Sequence, residues 1–362
     1  MPVSAIVLAA GEGTRMRSNR PKPIHQICGR PMVMHVIHAL TNLDIERTVV
    51  VVGHGAERVT KKIQEQSPAS VNVNFVEQPV QRGTGHAVII GLTGFPDEDL
   101  DDTSTVVVLP GDTPLLRPST IDELVAAHEA SGQAATLLTA RMDDPTGYGR
   151  IVRAKDGRVV HIVEQRDASP DELGITEINT GIMAFRRDLL GPGLRHISTN
   201  NAQSEYYLTD VVGVLASMGH RIGSVVVDDA GETQGVNDRW QLAMAERELR
   251  ARTNRHWLLN GVTMLDPRQT FIDVTVQLGR DVTLYPGTIL QGLTVIGDGA
   301  EIGPNTRLID TVVGRGARVE NTVASDAEIG ADATVGPFAH LPAGSHVPEG
   351  AVTGAFYTAS GE

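Results

Sequence analysis

The chain has 362 residues, enough for two domains with sizeable cores. Its formal net charge of −13 argues against a nucleic-acid surface, which would show a basic patch. A single cysteine, Cys28, excludes an internal disulfide and fits a reducing compartment. No apolar run reaches the roughly 18–20 residues of a membrane span, and the N-terminus enters a strand without a charged leader. A cytoplasmic protein without a membrane or nucleic-acid partner is expected.

In chain order, residues 5–9 read as a buried parallel strand that ends in a glycine-rich turn. That turn carries Gly11, Gly13, Thr14 and Arg15, and beyond it Lys22 sits between two prolines. Glycines let backbone N–H groups approach phosphate oxygens, and Arg15 and Lys22 supply neutralising charge. The loop lacks the Gly-Lys-Ser/Thr of a Walker A motif, and Met16 replaces the third glycine of a dinucleotide fingerprint. It reads as a cradle for a nucleoside triphosphate.

Short β-branched runs then alternate with amphipathic segments. Strands are predicted at 47–52, 72–76, 105–109, 134–140, 149–153, 159–164, 177–185 and 221–227. Helices are predicted at 32–41, 56–66, 85–91, 119–131 and 206–218. The alternation implies an α/β, Rossmann-like, mainly parallel doubly wound sheet that binds ligands at the carboxyl ends of its strands. Residues 236–259 read as one long linker helix, capped by Asn237 or Asp238, and about 30 Å long at 1.5 Å per residue. From Ile272 onward aliphatic residues recur every six positions through Leu278, Leu284, Leu290, Ile296, Ile302 and Leu308. After an offset at Val313 and Val319 the register resumes at Ile329, Val335, Leu341 and Val347. Three such hexapeptides make one triangular coil, so a short left-handed parallel β-helix of four to five coils is expected. Its flat faces suit a homotrimer. The expected division is 1–236 for the nucleotide domain, 237–260 for the linker helix and 261–362 for the β-helix.

The residues suited to chemistry follow strands or occupy tight turns. Gln78 stands beside a second glycine-rich turn with Gly83 and Thr84; its amide donates and accepts at once, which suits the imide edge of uracil. Backbone groups of Ala10, Gly11 and Gly83 can complete that edge. Asp112, after Pro110 and Gly111, offers a hard oxygen to Mg²⁺, and Asn237 can add a second if the linker helix starts beneath the site. Gly149, Glu164 and Asn179 follow one another on a hairpin-rich segment and offer a backbone N–H, a carboxylate and an amide to a sugar. Taken singly, each of these residues also fits an ordinary structural role.

Many of these segments, among them VLAAGEGTRMRSNRPKP, EQPVQRGTGHA, GDTPLL, DDPTGYGRIV, EINTGI, NNAQSEYYLTDVV and GVNDRWQLA, occur in one order. In that order the chain resembles the bacterial GlmU family, which joins an N-acetylglucosamine-1-phosphate uridyltransferase to a glucosamine-1-phosphate acetyltransferase. The resemblance covers residues 3 to about 355. It implies that Leu8, Ala9, Ala10, Gly11 and Gly111 hold the nucleotide, and that Gln78, Gly83 and Thr84 read uracil. By the same resemblance Arg15 and Lys22 act on the phosphates, Asp112 and Asn237 ligate Mg²⁺, and Gly149, Glu164 and Asn179 hold the sugar. The implied substrates are UTP and N-acetylglucosamine 1-phosphate. Pro110 departs from the polar or aromatic residue usual in the family. The sequence given stops at Glu362, near where the family's acetyltransferase residues begin, and His340 stands where the family has arginine. Acetyl transfer is therefore not expected, and His340 and His346 read as surface residues of the prism. The alternatives are another sugar 1-phosphate or nucleotide, a non-catalytic trimeric scaffold or regulatory paralogue, and full bifunctionality.

Overall fold

A computed structural model describes residues 3–41, 43–68, 71–95 and 104–359; Glu362 lies outside them. Two compact units emerge, one of residues 1–25 and 31–242 and the other of 26–30 and 243–362. Among the described residues no helix is long and apolar enough to cross a membrane.

The first unit is built on a nine-stranded sheet. Its strands are β1 (Val3–Ala9), β2 (Ile45–Val52), β3 (Val73–Glu77), β4 (Thr105–Pro110), β5 (Ala135–Arg141), β6 (Gly149–Arg153), β7 (Val159–Val163), β8 (Glu177–Arg186) and β9 (Ile222–Val226). The order is β9-β5-β8-β4-β1-β2-β3, and β6 and β7 form a hairpin attached to β8. The pairs β1/β2, β1/β4, β2/β3 and β5/β9 are parallel. Strand β8 runs against both its neighbours in the main order.

Successive residues explain why helices cover both faces. Ile6, Val49, Val51, Val106 and Val108 enter one core cluster, whereas Ala5, Val7, Val50, Val52, Val107 and Leu109 enter the other. A strand buried on both sides must be apolar throughout, so it shows no alternation. The helices α1 (Met32–His38), α2 (Ala56–Gln66) and α4 (Pro118–Ser131) supply residues to the second cluster. The helices α3 (Thr84–Leu92), α6 (Arg187–Leu194) and α7 (Asp210–Ser217) supply the first. Helix α4 shows the rule plainly: Ile121, Leu124, Val125 and His128 are buried at helical spacing, with Pro118 in its first turn.

At three places the structure departs from or narrows the local expectations. The helix expected at 206–218 begins at Asp210, because the carbonyl of Tyr206 accepts from Gly85 N–H and the N–H of Leu208 donates to Thr84 Oγ1. Helix α6, and a single turn α5 (Pro170–Leu173), were not expected. Gly191-Pro192-Gly193 reads as a breaker, yet burial of Leu190 and Leu194 holds α6 together. The long helix α8 (Arg239–Leu259) is capped by Asp238, whose Oδ1 accepts from Gln241 N–H at 2.8 Å, and not by Asn237.

The second unit stacks fifteen two- or three-residue strands as three five-stranded parallel sheets, the short left-handed β-helix expected, with five coils. Leu284, Leu290, Ile296, Ile302, Leu308, Val313, Val319, Ile329, Val335, Leu341 and Val347 line its interior, while Leu278 is only half-buried. Buried Ala324, unassigned in the hexapeptide reading, fills the position between Val319 and Ile329. The offset thus consists of five-residue steps from Leu308 to Val313, Val319 to Ala324 and Ala324 to Ile329, around one six-residue step from Val313 to Val319. His340 and His346 are exposed, as read from the sequence. Cys28 is buried against Glu246; burial, then the Glu246 carboxylate, raises its thiol well above the usual range.

Leu290 is fully buried in the prism. Leu290→Ala is expected to lower stability by about 2–5 kcal/mol, read as a shift of the urea midpoint for the whole chain.

Candidate functional site

A cavity of about 750 Å³ opens in the first unit at the carboxyl edge of the parallel strands. The loops after β1, β3 and β4 reach it directly. Strand β8, being antiparallel, brings its amino-terminal half, with Asn179 and Gly181, to the same edge. Leu8, Ala9, Ala10, Gly11, Lys22, Gln78, Gly83, Thr84, Gly111, Asp112, Glu164 and Asn179 line it. Arg15, Gly149 and Asn237 do not. Arg15 is exposed on the 3-10 turn Thr14–Met16 that follows the glycine loop.

Gly13 turns that loop with φ +65°, where a Cβ would stand 2.6 Å from the Cβ of Lys22. Both the left-handed backbone and the close approach demand glycine. Lys22 begins a second 3-10 turn, Lys22–Ile24, after Pro21. Its Nζ donates to Asp112 and, at 2.8 Å, to Asn237 Oδ1, with only 13% of the side chain exposed. Backbone bonds fix these partners: Gly111 N–H donates to Leu8 O at 2.9 Å, and Val236 N–H to Asp112 O at 2.8 Å. A carboxylate oxygen and an amide oxygen thus converge on one positive charge. That is a hard-oxygen donor set suited to a divalent cation that keeps most of its waters.

Of the three residues expected to bind a sugar, Glu164 and Asn179 line the cavity, and Gly149 stands beside them. Asn179 pairs in register with Gly149, and a Cβ on Gly149 would lie 3.4 Å from Glu164 Oε2. Asn179 Oδ1 accepts from Gly181 N–H at 3.1 Å, which leaves its NH₂ group to donate elsewhere. Thr209 Oγ1 donates to Glu164 Oε1 at 3.0 Å. Burial pushes the Glu164 carboxyl up; the Thr209 bond opposes that, and Asp210 and Asp167 add to it. Gln78, 2% exposed, contacts His86 Nδ1 at 2.8 Å through Nε2. Sequence reasoning missed Thr209, Gln81 and His86 as supports of the site. Thr209 lies in the segment NNAQSEYYLTDVV that carried the resemblance, and Gln81 Nε2 donates to Ala10 O at 3.3 Å.

A carboxyl whose folded pKa is raised destabilises the fold as pH rises from its unfolded value through the raised one. Glu164→Gln is therefore expected to raise the melting temperature relative to wild type at pH 7.5 and to leave it unchanged near pH 3.5, where both side chains are neutral. Thermal melts at the two pH values check this.

Residues 4–257 match the family model described as nucleotidyl transferase. Proteins named Bifunctional protein GlmU align over most of the chain. The one from Thermobifida fusca is 49% identical over 329 residues, 91% of this chain and 67% of its own length. The Streptomyces avermitilis protein is 51% identical over 91% of this chain and 67% of its own, and that of Shouchella clausii 44% over 90% and 69%. The word bifunctional in those names runs against the expectation that acetyl transfer is absent. The chain is a nucleotidyltransferase and belongs to the GlmU family.

Proposed function

We propose that the chain forms UDP-N-acetylglucosamine and pyrophosphate from UTP and N-acetylglucosamine 1-phosphate. One observation carries this reading. One cavity is lined by the glycine loop and Lys22, by Glu164 and Asn179, and by a buried amide, Gln78. A phosphate chain, a polyol bearing an amide, and a base with an imide edge match those three regions. In this reading residues 1–236 carry the reaction, 237–260 form the linker and 261–362 the β-helix.

The sugar phosphate attacks the α-phosphorus of UTP in line, and the bond to the pyrophosphate oxygen breaks. A phosphomonoester has a second pKa of about 6, so the attacking oxygen is already largely deprotonated and no general base is needed. Catalysis then consists of alignment and charge neutralisation. Mg²⁺, held by Asp112 and Asn237, would supply charge neutralisation at the triphosphate. Arg15 and Lys22 bring positive charge to the phosphates, and N–H groups of the Gly11–Gly13 loop approach them closely. Glu164 accepts from sugar hydroxyls, while the Asn179 amide donates.

Asp112→Asn and Arg15→Ala are each expected to lower kcat about 100-fold or more with the fold intact. The check is pyrophosphate release from UTP and N-acetylglucosamine 1-phosphate, with other nucleotides and sugar 1-phosphates in parallel. Near-wild-type rates in either folded variant overturn the function.

The β-helix is proposed to assemble as a homotrimer. Val295 and Val312 pair in one sheet and point outward, 40% and 48% exposed, a strip of apolar surface suited to a second copy. Val312→Glu is expected to shift the chain from trimer toward monomer in sedimentation velocity; an unchanged trimer counts against this strip as the interface, and a wild-type monomer against the assembly.

A further inference from the structure

We propose that His86 sets the nucleobase preference of this site by fixing which end of the Gln78 amide meets the ligand. The inference rests on the uridyltransferase reading and deepens it. Gln78 follows β3 and lines the cavity; His86 lies in the first turn of α3 and does not line it, so it acts through Gln78 as a positioning residue. The contact Nε2 to His86 Nδ1 is 2.8 Å, and Nε2 also donates to Gly83 O at 3.4 Å.

The orientation follows from donor counting. An amide nitrogen carries two hydrogens and accepts nothing, so the carbonyl of Gly83 and the lone pair of Nδ1 account for both. The ring proton of neutral His86 is then on Nε2. Burial, and next the charge of Arg82, lower this histidine's pKa and favour the neutral ring. The Gly83 carbonyl, an acceptor whichever tautomer is present, selects Gln78 Nε2 and so an accepting Nδ1. Turning the amide over would set Oε1 against two acceptors at once. Oε1 is therefore the amide atom left to meet a base.

An acceptor at that point distinguishes pyrimidines at N3, where, as at the group on C4, their edges are opposite. Uracil presents N3–H, which Oε1 accepts. Cytosine presents an N3 lone pair, which Oε1 repels. Without the Nδ1 acceptor the amide is held only by the longer Gly83 bond and can turn, presenting Nε2 to cytosine N3. His86 contributes no contact to the base, yet its loss alters selectivity more than it alters phosphate chemistry.

The experiment measures kcat/KM for UTP and for CTP, with N-acetylglucosamine 1-phosphate, in wild type, His86→Leu and His86→Asn. His86→Leu is expected to lose about tenfold of the UTP-over-CTP ratio. His86→Asn, whose Oδ1 can replace Nδ1 as acceptor, is expected to keep the ratio within about threefold of wild type. An unchanged ratio in His86→Leu, including an equal loss for both nucleotides, overturns the inference, as does a fall in His86→Asn matching that of His86→Leu. Should His86→Leu fail to fold, His86→Ala takes its place with the same criteria. A wild-type enzyme with no preference for UTP overturns the uridyltransferase reading, and this inference with it; a wild-type preference that survives His86→Leu overturns the inference alone.

Discussion

The ammonium of Lys22 is mostly withdrawn from water, and the site is organised around satisfying it. A charge in that position is costly unless paired and hydrogen-bonded, so Asp112 and Asn237 must both reach it. Asp112 arrives on the loop after β4, whose Gly111 is tied to the end of β1 through Leu8 O. Asn237 arrives because Val236 N–H bonds to Asp112 O, which fixes the chain just before α8. Three segments far apart in sequence thereby share one electrostatic junction. Gly13 stands against the stem of Lys22, so the phosphate loop is shaped by the same side chain. In the proposed reaction a divalent cation would take the same two oxygens and free Lys22 for phosphate.

The doubly wound sheet was legible because strands buried on both faces read as continuous apolar runs, as in Val49–Val52 and Val106–Leu109. The direction of β8 was not. A buried strand has the same apolar content whichever way it runs, and the reversal is settled by pairing with β4 and β5. Tyr206 to Thr209 had helical periodicity, but the carbonyl of Tyr206 is committed to Gly85 and the start of α7 is delayed. Tertiary bonding overrode local pattern there. In the β-helix the hexapeptide period exposed most interior positions, and Ala324 was hidden because a methyl group gives little signal and the local steps are five residues long.

In the site, residue types and turns pointed to Lys22, Asp112, Gln78 and Glu164, and the resemblance to GlmU proteins joined them. What the chain order could not display is the layer that holds them in place. Glu164 is gripped by Thr209, 45 residues later, and Gln78 by His86, which shares its motif but not its role. A support of this kind has no composition of its own: a threonine before a helix and a histidine inside one are ordinary. Only the distances separate them from the rest.

In the proposed reaction the charges around the cavity would also favour one direction for the substrate. Around Glu164 stand Asp167 and Asp210, and their charges act with burial to disfavour its ionised form. In that reaction these acids would disfavour phosphate there and favour neutral hydroxyl donors. Around the glycine loop stand Lys22 and the exposed Arg15, which attract phosphate. In the proposed reaction a sugar phosphate entering with its phosphate toward Glu164 would approach the charges of Asp167 and Asp210, whereas the reverse pose would place the phosphate toward Lys22. Coulomb repulsion near a protein surface is worth about 4 kcal/mol at 4 Å for a unit pair at an effective dielectric of 20, enough to exclude one orientation. In the proposed reaction the raised carboxyl of Glu164 would be the stability cost of aligning the attacking oxygen before any bond changes.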